Sequence, residues 1–463
     1  MSDTFAVIAG KLSAKAIRVI GAGLGSNVPG RVSRAISSTV LSNLAKQAKL
    51  GVLAVSGTNG KSTTSGFVSS VLTNAGLRIA HNRQGANLIT GITASLIDAA
   101  RWDGRLDVDY CLFETDEAAL PLVAKEVNIS TIVVTNLFRD QLDRFGELDT
   151  TALLINKGIA ANNSRCILNA DDPNVAKLGD KSERIYYGIQ STVRSLVDTK
   201  EEAAGQNAPA AGVQELAYCA ACGAEYSYDQ VFYGQLGHYI CPSCGNKRPE
   251  PSVMAEHVEI LATGSMFNLT YKDQTAVVKV SLPGMFNVYN ALAAAALSFS
   301  IGLSMEQVQT GLQDYNTLFG RSERLCIDGK TALIQLIKNP AGASQAVRAA
   351  ANDPKARILV AINDNYADGR DVSWLWDAEF ELFGAHGRPI VVSGSRCHDM
   401  ALRLKYAGLD GQNIQVVPSL DQAFRQALDQ TAPDETLWIL PTYTCLLDLQ
   451  KITKALGHAL SGT

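Results

Sequence analysis

The chain has 463 residues, a length typical of about three domains, and a formal net charge of −4 with 19% charged residues. Because its charges are nearly balanced, no general basic field favours nucleic acid as the main partner, and we expect none. Nine cysteines, four of them in two closely spaced pairs, fit a reducing cytoplasm and a metal site better than a disulfide framework.

The N-terminal segment, residues 1–50, is predicted to be short and helical. Residues 5–24 are rather apolar, but Lys11, Lys15 and Arg18 interrupt them and no positive charge precedes them. This pattern argues against both a signal peptide and a membrane-spanning helix. We expect an ordinary packed helix, with a basic amphipathic helix at a membrane surface as the alternative.

Residues 52–64, VLAVSGTNGKSTT, have the form of a buried strand, a glycine-bearing turn and the start of a helix. Gly57 and Gly60 allow a tight turn with inward N–H groups, and the helix adds its positive end, so a phosphate-binding loop is predicted. Lys61 would meet the β- and γ-phosphates of a nucleotide, and the Ser62 hydroxyl a Mg²⁺ ion. Residues 57–62 match the pattern GxxGK[ST] but not the full eight-residue motif of phosphate loops. The alternative is a plain turn between a strand and a helix. As a surface-loop lysine, Lys61 is expected to add little to core stability.

A second apolar run, residues 109–117, ends in carboxylates. Glu114, at the carboxyl end of the predicted strand, is the best candidate for a second Mg²⁺ ligand. The alternative is a solvated strand end with ordinary surface acids. Strand and helix patterns alternate to about residue 190, which predicts a parallel α/β sheet with ligands along its carboxyl edge.

Two CxxC pairs, separated by residues 223–240, form the strongest metal signature in the chain. Their members are Cys219, Cys222, Cys241 and Cys244. Four thiolates at this spacing can close a tetrahedron around Zn²⁺, so we predict a structural zinc ribbon at residues 213–252 after a surface linker at 192–212. The alternative is a redox-active dithiol, but such a site would need only one CxxC pair. His238 is expected to be a surface or packing residue.

A change in composition divides the rest of the chain. We predict a first α/β domain at residues 51–325, which contains the ribbon, and a second α/β domain at residues 326–463. In the second domain a buried strand leads into the acid-rich loop 364–371. Such a loop lies where sites are built; the alternative is a loop of mutually satisfied turn residues with Arg370 as their counter-ion.

These motifs resemble the Mur ligase family of ATP-dependent enzymes, which extend the peptidoglycan stem peptide. The matching pieces span most of the first 325 residues in family order: 57–63, the Glu114 strand, 135–143, 169–173, 282–290 and 320–321. The four-cysteine insertion and residues 364–374 resemble more narrowly the ligase-like subunits that act with a glutamine amidotransferase. Gln141 and Phe286 stand where Mur ligases usually carry histidine.

The resemblance implies ATP-dependent amidation of the α-carboxylate of D-glutamate in the lipid II stem peptide to D-isoglutamine, through an acyl phosphate. No cysteine lies in a nucleophile-elbow context, so ammonia would come from a GatD-type glutamine amidotransferase partner. The chain and this partner would form a cytoplasmic heterodimer, which would bind lipid II at the inner face of the cell membrane. The rivals are an amino-acid-adding ligase of the Mur or folylpolyglutamate type and a zinc-ribbon binding module with a regulatory nucleotide site.

The resemblance also implies roles for residues, with ATP, Mg²⁺ and structural Zn²⁺ as cofactors. Lys61 and Glu114 would act in phosphoryl transfer. A loop aspartate would orient the histidine of the partner's glutaminase, with Asp368 favoured over Asp364 and Asp371. Ser62 and Glu114 would hold magnesium. The expected ATP-binding residues are Gly57, Thr58, Asn59, Gly60, Lys61, Ser62, Thr63, Asn136, Asn287 and Arg321.

Overall fold

The structure, a computed structural model, describes residues 2–20, 27–82, 86–138, 148–190, 193–195, 218–261, 264–315 and 321–457. Within these ranges, no helix combines the length and the apolar character that crossing a membrane requires.

Three helices precede the first sheet: α1 (Ser2–Ile20), α2 (Val28–Ile36) and α3 (Val40–Ala45). Helix α1 buries Ala6 and Val7, and the Ser33 hydroxyl of α2 donates a hydrogen bond to the Ala6 carbonyl (2.8 Å). The prediction of a packed helix is confirmed for this face of α1.

The first sheet grows around β1 (Gly51–Ser56), which leads directly into α4 (Lys61–Asn74). The elements that follow are β2 (Ile79–His81), α5 (Ile89–Ala99), β3 (Tyr110–Glu114), α6 (Leu120–Glu126), β4 (Thr131–Val134), α7 (Leu148–Asn162), β5 (Arg165–Asn169), β6 (Arg184–Ile189) and β7 (Val193–Ser195). Strands β1 to β6 pair in parallel in the order β6-β5-β4-β1-β3-β2. Strand β1 therefore ends between β3 and β4, at the carboxyl edge where ligands bind in such sheets.

Burial on both faces explains the continuous apolar run of β1. Leu53 and Val55 belong to the apolar cluster on one face, and Val52 and Ala54 to the cluster on the other. A strand covered by helices on both sides needs apolar residues at every position, as parallel sheets show. The predicted parallel α/β sheet is confirmed.

A hairpin and three further strands follow. The hairpin consists of β8 (Ser227–Tyr233) and β9 (Leu236–Ile240), and then come β10 (Val253–Leu261), β11 (Gly264–Tyr271) and β12 (Gln274–Val280). Strand β10 pairs in parallel with β6, while β11 and β12 continue the first sheet in antiparallel order. The sequence analysis did not predict this extension. The alanine-rich helix α8 (Met285–Ser300) and helix α9 (Met305–Gln313) follow.

A second sheet of six strands forms the rest of the chain. Its elements are β13 (Arg321–Ile327), β14 (Lys330–Gln335), α10 (Pro340–Asn352), β15 (Ala356–Ala361), α11 (Glu381–His386), β16 (Ile390–Ser393), α12 (Cys397–Tyr406), β17 (Ile414–Val416), α13 (Leu420–Asp429), β18 (Thr436–Pro441) and α14 (Tyr443–Ala455). The order is β13-β14-β18-β15-β16-β17, parallel except for the hairpin β13-β14. The predicted second α/β unit is present. Residue 326, the predicted domain limit, lies within β13.

Some predictions fall on residues that the structure does not describe. Gln141, Gly320 and most of the predicted linker 192–212 lie outside the described ranges. For Arg321, only the backbone is described, as the first residue of β13.

Candidate active site

The loop between β1 and α4 has the tight, glycine-dependent shape expected of a phosphate-binding loop. Gly57 and Gly60 have φ angles of +117° and +82°, a region that residues with a Cβ rarely adopt. A Cβ on Gly60 would lie 2.0 Å from Asn290 Oδ1, and one on Gly57 would lie 2.4 Å from Thr135 Oγ1. Both positions therefore require glycine, because their backbone conformation disfavours other residues and a Cβ would clash with a neighbouring side chain.

Lys61 is buried rather than at the surface, with 8% of its area exposed. Its Nζ donates to the carbonyls of Gly57 (2.6 Å) and Thr58 (3.2 Å), and it forms an ion pair with Glu117 Oε1 (2.8 Å). Desolvation raises the pKa of Glu117, and the charge of Lys61 opposes this rise. The expected surface position of Lys61 is therefore wrong, and its removal would leave a buried carboxylate without a cation.

Ser62 and Glu114 lie together, as the sequence indicated. The Ser62 hydroxyl donates to Glu114 Oε1 (2.9 Å), and Glu114 is buried. The side chain of Asn82 fixes the backbone of Glu114, accepting from its N–H (2.8 Å) and donating to its carbonyl (2.7 Å). The alternative of a solvated strand end is wrong. A hydroxyl and a carboxylate beside a phosphate loop are hard oxygen ligands of the kind that Mg²⁺ takes, so these residues fit that ion.

Asn136 holds the middle of the loop from the end of β4. Its Oδ1 accepts from the Asn59 N–H (2.9 Å), its Nδ2 donates to the Asn59 carbonyl (3.1 Å), and its own carbonyl accepts from the Thr58 N–H (2.9 Å). The Nδ2 of Asn59 is buried and, among the described residues, has no hydrogen-bond partner. A ligand with an acceptor could satisfy it.

A cavity of about 80 Å³ lies beside this loop, and residues of both α/β units line it. Residues that line it include Asn59, Asn136, Tyr233, Phe286, Asn287, Asn290 and Lys338. Thus Asn136 and Asn287, which were predicted from the resemblance, lie on the same cavity as the loop.

Residues of the second unit also reach the loop, and the sequence analysis did not assign them to the site. Asn339 Nδ2 donates to Asn59 Oδ1 (2.9 Å), and Lys338 Nζ donates to the Thr58 carbonyl (3.3 Å). Asn339 also caps helix α10, accepting from the N–H of Gly342 (2.9 Å). An Asn-Pro pair after a strand indicates a helix start. Only the tertiary structure shows that this start meets the phosphate loop.

The four cysteines of the two CxxC pairs come together. Their sulfur atoms all lie within 4.8 Å of one another, with Cys219 to Cys244 and Cys222 to Cys241 both at 3.5 Å. A Zn–S distance of about 2.3 Å implies sulfur separations of roughly 3.8 Å in a tetrahedron, so the donor set fits Zn²⁺. His238 does not join the cluster; it bonds the Ile189 carbonyl through Nε2 (2.8 Å).

The ribbon is tied to the first sheet by a buried ion pair. Arg248 Nε donates to Asp171 Oδ1 (2.6 Å), and Asp171 is fully buried. Asp171 also accepts from the Tyr289 hydroxyl (2.7 Å) and the Ile189 N–H (2.8 Å). Arg248 therefore has a structural role.

The acid-rich loop follows β15, at the carboxyl edge of the second sheet. Asp368 is buried and accepts from the Thr444 N–H (2.7 Å) and hydroxyl (2.6 Å) at the start of α14. Desolvation raises the pKa of Asp368, and the Thr444 hydrogen bonds oppose this. The Asp364 side chain is 35% exposed, accepts from the Ser395 hydroxyl (2.9 Å) and lies 3.5 Å from Arg396 Nε.

Asp371, the third candidate of this loop, accepts from the Ser373 N–H (2.8 Å) at the start of a short 3₁₀ helix, Ser373–Trp376. Asp371 thus accepts a local hydrogen bond, and so does Asp368, from the Asn365 N–H (3.2 Å), as the turn interpretation requires. Asp364 instead bonds Ser395, which lies outside the loop. Arg396, rather than a residue of the loop itself, is the cation beside Asp364.

Two family models match parts of this chain. Residues 55–216 match the Mur ligase middle domain family, and residues 336–446 match the MurT ligase C-terminal family. The structure of a pseudomurein peptide ligase type C from Methanothermus fervidus has a TM-score of 0.67 at 22% identity, covering 89% of this chain and 80% of that chain. That likeness shows a shared fold.

Two relatives align over nearly the whole chain, and each is named lipid II isoglutaminyl synthase (glutamine-hydrolyzing) subunit MurT. The protein of Staphylococcus aureus (strain N315) is 36% identical over 450 residues, 96% of this chain and 96% of that protein. The protein of Streptococcus pneumoniae (strain ATCC BAA-255 / R6) is 31% identical over 456 residues, 98% and 97% of the two chains. The chain therefore belongs to the MurT family of Mur-type ligases.

Proposed function

We propose that this chain is the ligase subunit that amidates the α-carboxylate of D-glutamate in the lipid II stem peptide, giving D-isoglutamine with hydrolysis of ATP. The observation that carries the proposal is the meeting of Lys61, Ser62 and Glu114 at one sheet edge in a chain so similar to the MurT subunits. The proposal includes the three predicted units of the chain. They are residues 1–50, residues 51–325 with the ribbon at 213–252, and residues 326–463.

The chemistry explains why a nucleotide is needed. Ammonia cannot displace oxide from a carboxylate at neutral pH. A carboxylate oxygen therefore attacks the γ-phosphorus of ATP, ADP leaves, and an acyl phosphate forms. Ammonia then attacks the carbonyl carbon, gives up a proton, and phosphate leaves with one of the original carboxylate oxygens.

Residues of the chain supply binding and charge for this step. The loop N–H groups and Lys61 would bind the phosphates, with Lys61 exchanging its contacts to the loop carbonyls for phosphate oxygens. Ser62 and Glu114 would hold Mg²⁺, which neutralises charge on the transferred phosphoryl group. Asn287 and Asn290 offer carboxamides, which can donate and accept, to the edge of a purine base in the cavity.

Three buried thiols of the chain are poor candidates for a glutaminase nucleophile, which supports an outside source of ammonia. Burial raises the pKa values of Cys111, Cys166 and Cys445 to about 12, 11 and 12, so these thiols stay protonated and are poor nucleophiles. We propose that a GatD-type glutamine amidotransferase supplies ammonia and that the heterodimer works on lipid II at the inner face of the membrane. The curated relatives carry the words "glutamine-hydrolyzing" and "subunit" in their names.

We propose that the acid-rich loop 364–371 contributes one aspartate to the active site of that amidotransferase partner. An aspartate presented at the carboxyl edge of the second sheet could orient a catalytic histidine and stabilise its imidazolium. Asp368 is the first candidate, then Asp364 and Asp371. Burial and the Thr444 hydrogen bonds fix the orientation of Asp368, while the Asp364 side chain is the more open to solvent of these two.

A comparison of nitrogen donors tests the proposal. The purified chain is incubated with lipid II, ATP and Mg²⁺ and either ammonium or a mixture of free amino acids, and the products are identified by mass spectrometry. We expect the amide with ammonium and no amino-acid adduct. An amino-acid adduct would establish the rival ligase activity, and no ATP turnover with either donor would reduce the site to a regulatory one.

A further inference from the structure

The turn that joins β8 to β9 in the ribbon is buried against the first sheet. Tyr233, Gln235 and Leu236 are 8%, 3% and 1% exposed. A Cβ on Gly234, which has a φ of +56°, would lie 2.6 Å from Phe138 Cε1, so the turn lies directly on the Phe138 ring. The end of the hairpin remote from the cysteines is thus part of the core.

This turn is bonded to the backbone that holds the phosphate loop. Gln235 Nε2 donates to the Leu137 carbonyl (2.8 Å), and the rings of Tyr233 and Phe138 have centroids 5.0 Å apart. The Phe138 N–H donates to Thr58 Oγ1 (3.1 Å), and that hydroxyl lies 3.2 Å from the Phe138 carbonyl. A short path therefore leads from the ribbon through Phe138 to the loop.

Tyr233 also lines the cavity beside the loop. It shares the wall with Asn59, Gly60 and Phe286, so the ribbon itself contributes an aromatic side chain to the cavity in which the proposed function places the nucleoside. Aromatic faces suit a purine, since stacking on them needs no particular hydrogen-bond pattern.

The cysteine end of the ribbon has little apolar core of its own. Among the described residues, the ribbon's own apolar cluster has four buried members, Cys219, Tyr226, Tyr239 and Cys241, and this core is too small to fold by itself. Strand β9 ends at Ile240, directly before Cys241. In such a module, metal binding supplies much of the folding free energy.

We propose that Tyr233 contacts the nucleoside part of the bound nucleotide and that metal binding by the four cysteines, by ordering the β8-β9 hairpin, sets the affinity for that nucleotide. This inference rests on the proposed function, because the nucleotide is its ligand. Without the metal, Tyr233 would have to be ordered on binding, and this entropy loss weakens affinity. The ribbon then acts on the nucleotide site as well as on local stability.

The first experiment measures binding to the full-length, metal-loaded chain by calorimetry, with Mg²⁺-ADP and Mg²⁺-tripolyphosphate as probes. We expect Tyr233→Ala to weaken ADP binding roughly tenfold, Tyr233→Phe to keep it, and both to leave tripolyphosphate binding unchanged. Tyr218→Ala, at an exposed ribbon tyrosine, is the matched control and should bind both probes normally. Metal content and thermal midpoint are measured for every variant.

The second experiment removes the metal with a chelator and restores it with Zn²⁺. ADP affinity should fall about tenfold and recover in the wild type, and it should change less in Tyr233→Ala, because the two effects share one cause. Unchanged ADP affinity in Tyr233→Ala, an equal loss for tripolyphosphate, or no effect of metal removal would overturn the inference. If the wild type binds no ADP at all, the proposed function fails with it; normal ADP binding with an inert Tyr233 would overturn this inference alone.

Discussion

The ammonium group of Lys61 lies 2.8 Å from the carboxylate of Glu117, and both side chains are buried. The loop lysine is thus held by an internal anion in the position from which it would meet phosphate. A buried pair of this kind is far more stable intact than with one partner missing. Glu117 therefore holds the Lys61 side chain, and under the proposed function it would compete with phosphate for Lys61.

The ion pair between Lys61 and Glu117 leads to a prediction about stability, and a double variant serves as its control. Lys61→Met should destabilise the fold by about 3–5 kcal/mol, because Glu117 would stay buried without a cation. The double variant Lys61→Met/Glu117→Gln should recover most of that loss, yet neither variant should amidate lipid II with ATP. Thermal unfolding and an amidation assay check both statements. A single variant as stable as the wild type would refute the role of the pair, and near-normal turnover would remove the phosphate-loop assignment.

The cysteine cluster should hold one Zn²⁺ per chain, and Cys222→Ser should unfold the ribbon locally. Elemental analysis gives the metal content, and limited proteolysis should show new cleavage between residues 218 and 250. Cys326→Ser, at an exposed cysteine outside the ribbon, should change neither. Protein purified without chelator and found free of metal would contradict this assignment.

The acid-rich loop can be separated from the ligase site by the choice of nitrogen source. With the amidotransferase partner present, Asp368→Asn should lose amidation from glutamine and keep amidation from ammonium, and the same pair of assays ranks Asp364→Asn and Asp371→Asn. Asp377→Asn, an exposed acid nearby, is the control. Loss with both donors would move the residue to the ligase site or to folding. Full activity of all three variants would end the idea of a shared glutaminase site.

Asp172 gives a pH dependence whose sign follows from its burial. Burial raises the pKa of Asp172 from 3.8 to about 6, against hydrogen bonds from the N–H groups of Leu137 and Asn174. Between these values the folded state holds more protons than the unfolded state, so this group's contribution to stability is present below pH 3.8 and is lost as pH rises through about 6. The amount is about 3 kcal/mol. Asp172→Asn should flatten the fall in thermal midpoint between about pH 4 and pH 7. Parallel curves for the two proteins would show that Asp172 does not titrate this way.

Local patterns were sufficient for the parts of the site that lie close in sequence or at neighbouring strand ends. A strand, two glycines and a helix start fixed the loop of Lys61, and a buried strand that ends in acids placed Glu114 beside it. The metal site of the four cysteines could also be predicted from the sequence, because two CxxC pairs at this spacing can supply the four ligands of a tetrahedral metal ion.

Contacts between distant segments could not be read from the sequence. Tyr233, Lys338 and Asn339 reach the loop only because the ribbon and the second sheet pack against it, and no local periodicity encodes that approach. Glu117 belonged to the predicted acidic strand end, but nothing in its spacing distinguished a partner of Lys61 from a ligand of Mg²⁺. Strands β11 and β12 were missed because they pair antiparallel at the edge of a sheet that was expected to be parallel.

The central claim, phosphoryl transfer to the glutamate carboxylate at this loop, is tested most directly by following oxygen. Lipid II whose glutamate α-carboxylate carries ¹⁸O at both oxygens is incubated with the chain, ATP, Mg²⁺ and ammonium, and the released phosphate is analysed by mass spectrometry. An acyl phosphate predicts one ¹⁸O in inorganic phosphate for each amide formed, with ADP as the other product, and no release in Lys61→Met/Glu117→Gln. Amide formation with unlabelled phosphate, or with AMP and pyrophosphate, would contradict the account.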